Sequence, residues 1–504
     1  MATKVHIELV PMGKKFEVEP GSQLQDVLFA FGVEFPCGGR GRCKGCRVKV
    51  LDGEFPITAE QSRVLSPEEL QAGWRLACRG EVRGPLKIEL AQWEASILAD
   101  DSAFTFIPQA GLGVAVDLGT TTVVAQLLDL QTGNVLAVRS AWNTQARHGG
   151  DIMSRVDYAV SGGGQADLTT LIRNQIGALI SELFEGAGRS SAELQRVVVV
   201  GNTVMHHFFC GLDAGPLSQH PFEPDQDGLH EFSAREVGWE LGDNVRVLFL
   251  PCLGGFVGSD ILAGIVATRL HESEALCALI DLGTNGEIVI GNRDGMLCSS
   301  TAAGPAFEGA RISMGMRAAT GAISEVTLVA GRLHCRVLGH AEPRGLCGSG
   351  LVDAVAGSLD AGWIKPSGRI TSGDGIPLQG PVKLNQADIR ELQLAKGAIA
   401  AGIRLMVEQM GRRLDEVQTV HLAGAFGNYI NRASAQRIGL LPFPIERVKP
   451  AGNTALLGAK LALFAPDQEH FQYRALRAKV RHTCLNEDER FQEVYVEEMS
   501  FPPA

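Results

Sequence analysis

The stretch Val114-Ala-Val-Asp-Leu-Gly-Thr-Thr-Thr122 returns 164 residues later as Ala278-Leu-Ile-Asp-Leu-Gly-Thr-Asn-Gly286. Asp117 aligns with Asp281, Gly119 with Gly283 and Thr120 with Thr284. Each copy reads as a buried strand, a polar glycine turn and a second strand, over 123–130 in the first copy and 287–291 in the second. A duplicated strand–turn–strand separated by a domain's length implies two similar lobes. The chemistry of each turn suits a polyphosphate. Glycine admits the phosphate close to the backbone, and N–H groups and threonine hydroxyls donate hydrogen bonds. Thr120, Thr121 and Thr122 offer this in the first turn, and Gly283, Thr284, Asn285 and Gly286 in the second. Asp117 at the strand end is placed to face a magnesium ion through water. One such turn is a weak signal, because tight turns of this composition are common.

Two further stretches strengthen it. Val420-His-Leu-Ala-Gly-Ala-Phe-Gly-Asn-Tyr-Ile430 reads as a strand ending at Gly424, with Gly427 ahead of a helical pattern. It resembles the adenosine motif of the superfamily of sugar kinases, acetate kinases, heat-shock chaperones and actin, and its order after the two phosphate turns is that superfamily's order. Gly254-Gly-Phe-Val-Gly-Ser-Asp-Ile-Leu-Ala-Gly264 opens a helix just before the second phosphate turn. In sugar kinases a Gly-Asp helix start at this point carries the catalytic base. By that resemblance Asp260 orients or deprotonates the water that attacks the γ-phosphate; the plainer alternative is that Asp260 caps its helix. Whether Asp260 or Asp281 handles the water is left open. No Walker-type phosphate loop occurs.

Ahead of this region, residues 1–92 have a different character. Strands are expected at 5–10, 15–18, 47–50 and 86–90, with a short helix at 23–31. Cys37, Cys43, Cys46 and Cys78 are spaced C-x5-C-x2-C-x31-C. Three lie on the glycine-rich loop Cys37-Gly-Gly-Arg-Gly-Arg-Cys-Lys-Gly-Cys46, which can wrap closely around a bound group. Four thiolates hold an iron–sulfur cluster. A structural zinc site is the competing reading, but such sites usually bring two C-x2-C pairs and only one is present. The spacing resembles the [2Fe–2S] ferredoxins of the β-grasp fold, with a loop one residue longer than the plant type. The remaining seven cysteines show no ligand spacing and are expected in the core.

Composition bounds the partners. The chain has 504 residues, 45% hydrophobic and 20% charged, with a formal net charge of -11. That balance argues against nucleic acid, which selects a basic face. The longest apolar runs, such as Val197 to Val200, are too short to span a bilayer, and the N-terminus lacks the pattern of an export signal. A cytoplasmic location without membrane attachment is expected.

The expected architecture is therefore α/β: a β-grasp [2Fe–2S] ferredoxin domain over 1–92, a connector over 93–110, a first ATPase lobe over 111–270 and a second over 271–504. The two lobes share the ribonuclease-H-like fold of actin and sugar kinases. The pairing of a ferredoxin with this ATPase resembles the RACo-like family, the reductive activators of corrinoid proteins. Val200-Gly-Asn-Thr-Val-Met205, Ala303-Gly-Pro-Ala-Phe-Glu-Gly309 and Cys347-Gly-Ser-Gly-Leu351 resemble that family's strings, as does the ending over 495–502. The resemblance implies an ATP-hydrolysing reductase that returns inactive Co(II) to Co(I) in the corrinoid protein of a methyltransferase system. It implies a [2Fe–2S] cluster, ATP and Mg2+ as cofactors, and an upstream low-potential reductant. Longer family members carry a linker domain associated with dimerisation; the short connector here leaves a homodimer open. Three rival readings are an ATP-driven electron donor to a different enzyme, a small-molecule kinase with a fused ferredoxin domain, and a nucleotide-gated redox sensor or adaptor without turnover.

Overall fold

The computed structural model describes residues 4–10, 14–29, 41, 46–90, 106–242, 244–283, 285–309, 311–318, 321–338, 342–465 and 469–503. Cys37, Cys43, Thr284 and most of the 93–110 connector fall outside the described residues.

The N-terminal module is a five-stranded mixed sheet in the order Lys14–Val18, Val5–Val10, Leu86–Leu90, Arg47–Gly53, Trp74–Leu76. The first and last long strands run parallel, and the other neighbours are antiparallel. This is the β-grasp arrangement. Alternation along Leu86–Leu90 puts Leu86, Ile88 and Leu90 into the core, as a one-sided sheet requires. The helix spans Leu24–Phe29 and begins one residue later than the sequence suggests, because Ser22 and Gln23 pair with Glu81 and Val82.

Each ATPase lobe is built on a six-stranded sheet, and the two share a topology. In the first, the order is Val135–Trp142, Thr122–Asp129, Leu112–Leu118, Leu194–Gly201, Arg246–Phe249, His230–Ser233. In the second it is Val448–Gly452, Thr419–Ala423, Cys277–Leu282, Gly286–Asn292, Gly295–Thr301, Val480–His482. Counting within each lobe, five strands follow the order 3-2-1-4-5 with strand 2 antiparallel to strand 1. The sequence repeat is thus the first hairpin of each sheet. The valine run Val197 to Val200 belongs to a central strand that pairs in parallel on both sides. All four side chains are fully buried, which explains a continuous apolar run where an edge strand would alternate.

Two helices join the lobes. Ser259–Ala267 and Thr454–Leu463 pack on each other, and the second also lies on the first lobe's Leu112–Leu118 and Leu194–Gly201. They cross so closely that a Cβ at Gly458 would sit 2.3 Å from the Ala263 carbonyl oxygen. A shared core lies between the two sheets, drawing Ala115, Val198 and Leu250 from one lobe and Leu279, Val289 and Cys298 from the other.

The ferredoxin module rests on both lobes. Its core extends to Val138 of the first lobe and to Tyr429 of the second. Asp26 on its helix forms an ion pair with Arg336 of the second lobe at 2.6 Å. The Asp26 side chain is only 3% exposed, so this pair lies inside the interface, where charges are screened far less than at the surface. Across the mouth of the cleft, the Arg317 guanidinium stands 4.2 Å from the centre of the Trp142 ring.

Candidate active site

The repeated turns belong to the two lobes, with Asp117 and Asp281 within electrostatic range of each other, and their backbones show why glycine is present. Gly119 N–H donates to Thr122 O at 3.0 Å, and a Cβ at Gly119 would come within 2.7 Å of that oxygen. Gly283 N–H donates to Asn285 O at 3.0 Å. The second turn is one residue tighter: Leu118 pairs with Val123, whereas Leu282 pairs with Gly286. Gly286 is packed against Thr301 Oγ1, which also donates to its carbonyl at 2.9 Å.

Three asparagines that sequence reasoning did not assign to the site hold the first turn. Asn143 Nδ2 donates to Gly119 O at 3.0 Å, and its backbone N–H donates to Thr121 O at 2.9 Å. Asn202 Nδ2 donates to Thr120 Oγ1 at 2.9 Å, so the threonine hydroxyl accepts and keeps its own proton to donate to a ligand. Asn453 Nδ2 donates to Asp117 Oδ2 at 2.8 Å. Each of the three also caps a helix through its Oδ1, so the turn is tied to three helix starts at once. A cap residue next to a phosphate turn is the available sequence signal, and Asn202 lies within a quoted family string.

Four carboxyl groups converge at the strand ends. Burial holds Asp117 up to about 6, against the opposing hydrogen bond from Asn453. Burial, then the nearby Asp117, raises Asp281 to about 7. Burial, then Asp281 and Asp117, raises Asp260 to about 8. Glu287 was not singled out from sequence. It stands directly opposite Asp281 in the antiparallel pair, accepts from Ser300 Oγ at 3.2 Å, and is pushed well up by burial and by Asp260 and Asp281. Like charges facing across a strand pair are unfavourable, and burial together with that crowding raises the proton affinity of these groups. Among the described residues, no three His, Cys, Asp or Glu groups are close enough to share a metal directly.

Asp260 does not cap its helix in the expected way. Gly258 occupies the N-cap position and Asp260 lies in the first turn, its Oδ1 accepting from Ile261 N at 2.9 Å. A Cβ at Gly258 would lie 2.2 Å from Gly201 O, so glycine lets this helix start press on the end of the central strand beside Asn202. Just past the strand Thr419–Ala423, Gly424 has φ +82° and a Cβ there would fall 2.3 Å from Asp281 Oδ1. Gly427 lies inside the short helix Gly424–Tyr429 rather than ahead of it. Phe426 of this helix stacks on Phe307 at 4.6 Å, and both press on Gly348. Two of the family strings thus meet at this helix, while the third supplies Asn202 to the first turn. His206 and His207 are both buried in the core, with ring centres 5.6 Å apart.

The second half of the site is the cysteine cradle. Cys46 and Cys78 are buried with Sγ atoms 3.3 Å apart, well beyond the ~2.05 Å of a disulfide and suited to a shared inorganic group. Gln61, fully buried, fixes the turn bearing Cys78: its Nε2 donates to Arg79 O at 2.8 Å and to Pro56 O at 3.1 Å, and its Oε1 accepts from Leu76 N at 3.3 Å. Gly41 adopts φ +65° on the loop between Cys37 and Cys43. Two adjacent buried thiols and a nearby glycine at positive φ fit an iron–sulfur cluster. Of the other cysteines, Cys210, Cys252, Cys277, Cys298 and Cys347 are buried as expected, while Cys335 and Cys484 are only partly so.

A β-grasp module with clustered buried cysteines, seated on duplicated lobes whose strand ends carry glycine turns and carboxylates, defines an iron–sulfur protein of the actin-like ATPase class. Residues 7–83 match the 2Fe-2S iron-sulfur cluster binding domain, 112–273 the RACo middle region, and 275–504 the C-terminal domain of RACo, the ASKHA domain. The corrinoid activation enzyme RamQ of Eubacterium limosum is 35% identical over 417 residues, covering 76% of this chain and 69% of that protein. The [Co(II) methylated amine-specific corrinoid protein] reductase of Methanosarcina barkeri is 26% identical over 427 residues, 77% of each. A solved reductive activator for corrinoid, iron-sulfur protein superposes with a TM-score of 0.70 at 28% identity, covering 99% of this chain and 98% of that one. The chain belongs to the RACo family of reductive activators of corrinoid proteins.

Proposed function

We propose that this protein is an ATP-dependent reductive activator that returns the Co(II) form of a corrinoid protein to Co(I), drawing electrons from an upstream low-potential reductant. The observation that carries the reading is the ferredoxin module seated on both lobes of the nucleotide cleft, which lets lobe movement bear on the redox partner.

When bound, the [2Fe–2S] cluster supplies one-electron redox chemistry at Cys37, Cys43, Cys46 and Cys78. The chain's own residues do the rest. Gly119 to Thr122 and Gly283 to Gly286 cradle the phosphates, with Thr284 in the second turn. Gly424 and Gly427 bring backbone against the adenosine, beside the Phe307–Phe426 stack. Asp117 and Asp281 would hold a hydrated Mg2+, which would supply neutralising charge for the phosphates. Asp260, at the start of its helix and with a raised affinity for protons, is suited to accept a proton from the attacking water. Each 1.4 kcal/mol of coupling between nucleotide binding and the partner shifts the electron-transfer equilibrium about tenfold.

The test is anaerobic. Reduced protein, Mg-ATP and a Co(II) corrinoid protein are mixed and the Co(I) absorption band is followed. The band should appear only with ATP. Cys43→Ser should abolish it and leave nucleotide affinity unchanged. Efficient phosphorylation of a sugar, with no Co(I) formed on any corrinoid protein tried, would replace this reading with that of a kinase.

A further inference from the structure

Arg79 follows Cys78 in the chain, and its side chain lies against Gly41. A Cβ built at Gly41 would lie 2.6 Å from Arg79 Nε and 2.9 Å from its Cγ. The guanidinium stem thus runs from beside Cys78 to a point two residues before Cys43 in the chain. Gly41 is required there twice, by its φ of +65° and by this contact. Gln61 holds the Arg79 carbonyl at 2.8 Å, which leaves the side chain a fixed origin.

The Nε atom is fully buried and meets no hydrogen-bond acceptor among the described residues. An arginine stays charged at any pH a protein experiences. A buried N–H without an acceptor costs about 1–3 kcal/mol, more when it is charged. Glu60 lies within electrostatic range of Arg79 but gives Nε no hydrogen bond, so among the described residues this position still lacks an acceptor. The buried pair Cys46 and Cys78, 3.3 Å apart at sulfur, marks where such a group would be held: thiolates and bridging sulfides carry net negative charge and accept N–H donors.

We propose that Arg79 is a positioning residue for the iron–sulfur group, its guanidinium standing against the cluster and favouring the one-electron-reduced form. This rests on the reading of the four cysteines as [2Fe–2S] ligands. Reduction takes one electron from a donor and makes or breaks no bond in the chain; it adds one negative charge to the cluster. A fixed cation alongside offsets that charge, so Arg79 raises the reduction potential and lets the upstream donor load the cluster more readily.

The experiment is a redox titration of the full-length, anaerobically reconstituted protein with dithionite as reductant, followed by electron paramagnetic resonance. Arg79→Gln should keep its iron and sulfide and show a midpoint lower by about tenfold in the one-electron equilibrium, roughly 59 mV. Arg79→Lys should stay close to the parent. Should glutamine impair cluster assembly, Arg79→Met keeps the stem over Gly41 and carries the same expectation. A fully loaded Gln or Met variant with the parent's midpoint would overturn the proposal, as would a Lys variant shifted as far as Gln. A parent protein lacking iron and sulfide would instead sink the cluster reading itself.

Discussion

At the scale of single residues, Asp117, Asp281 and Asp260 hold their protons up to about 6, 7 and 8, whereas unfolded aspartates titrate near 3.9. Between these limits the folded chain binds more protons than the unfolded chain. The unfolding free energy must then fall as pH rises from about 4 to about 8, so far as these groups are concerned. The nucleotide-free protein should show a lower urea midpoint at pH 8 than at pH 5, and Asp260→Asn should flatten the difference. Equal sensitivity to pH in parent and variant would mean the carboxyls are not coupled as described. Asp117 and Asp281 were readable from sequence because the repeat marks them. Glu287 was not, because its role arises from strand register: it faces Asp281, while the matching place opposite Asp117 is taken by Val124. The three asparagines escaped for a similar reason. Asn453 is 336 residues from the aspartate it holds, and no local pattern records that distance.

Among elements, the helices Ser259–Ala267 and Thr454–Leu463 form the seam between the lobes. Gly458 sets their separation by its approach to Ala263, and Gly264 meets Thr454 in the same way. Overpacking such a contact typically costs about 1–3 kcal/mol. Gly458→Val should lower stability by that amount in urea unfolding and weaken Mg-ATP binding, because the first helix carries Asp260 and the second begins at Asn453, the partner of Asp117. Unchanged nucleotide affinity in a clearly destabilised variant would uncouple the seam from the site. The sequence legibly marks the first hairpin of each lobe, whose polar turns interrupt strongly apolar strands. It runs the strand to Gly424, one residue past its end at Ala423, and shifts the helix boundary, since Gly424 enters the helix at positive φ and Gly427 is carried inside. Helix ends depend on caps and contacts that a short polar string does not encode.

For the molecule as a whole, the seat of the ferredoxin joins three bodies of structure. The Asp26–Arg336 pair and the packing of Val138 and Tyr429 hold the module to both lobes. Arg336→Glu should release it, read as a larger radius of gyration in solution scattering, with Asp26→Lys in the same chain restoring the compact form. A radius unchanged by the single substitution would show that the apolar packing alone suffices. That seating was beyond the reach of the sequence, which separates Asp26 from Arg336 by 310 residues.

The same seat sets a rule for anyone exchanging modules in such a chain. A ferredoxin borrowed from elsewhere brings its own four cysteines and assembles its own centre. It arrives without an acid to meet Arg336 or an apolar surface cut to Val138 and Tyr429. A working chimera has to transplant the docking face along with the cysteine loop.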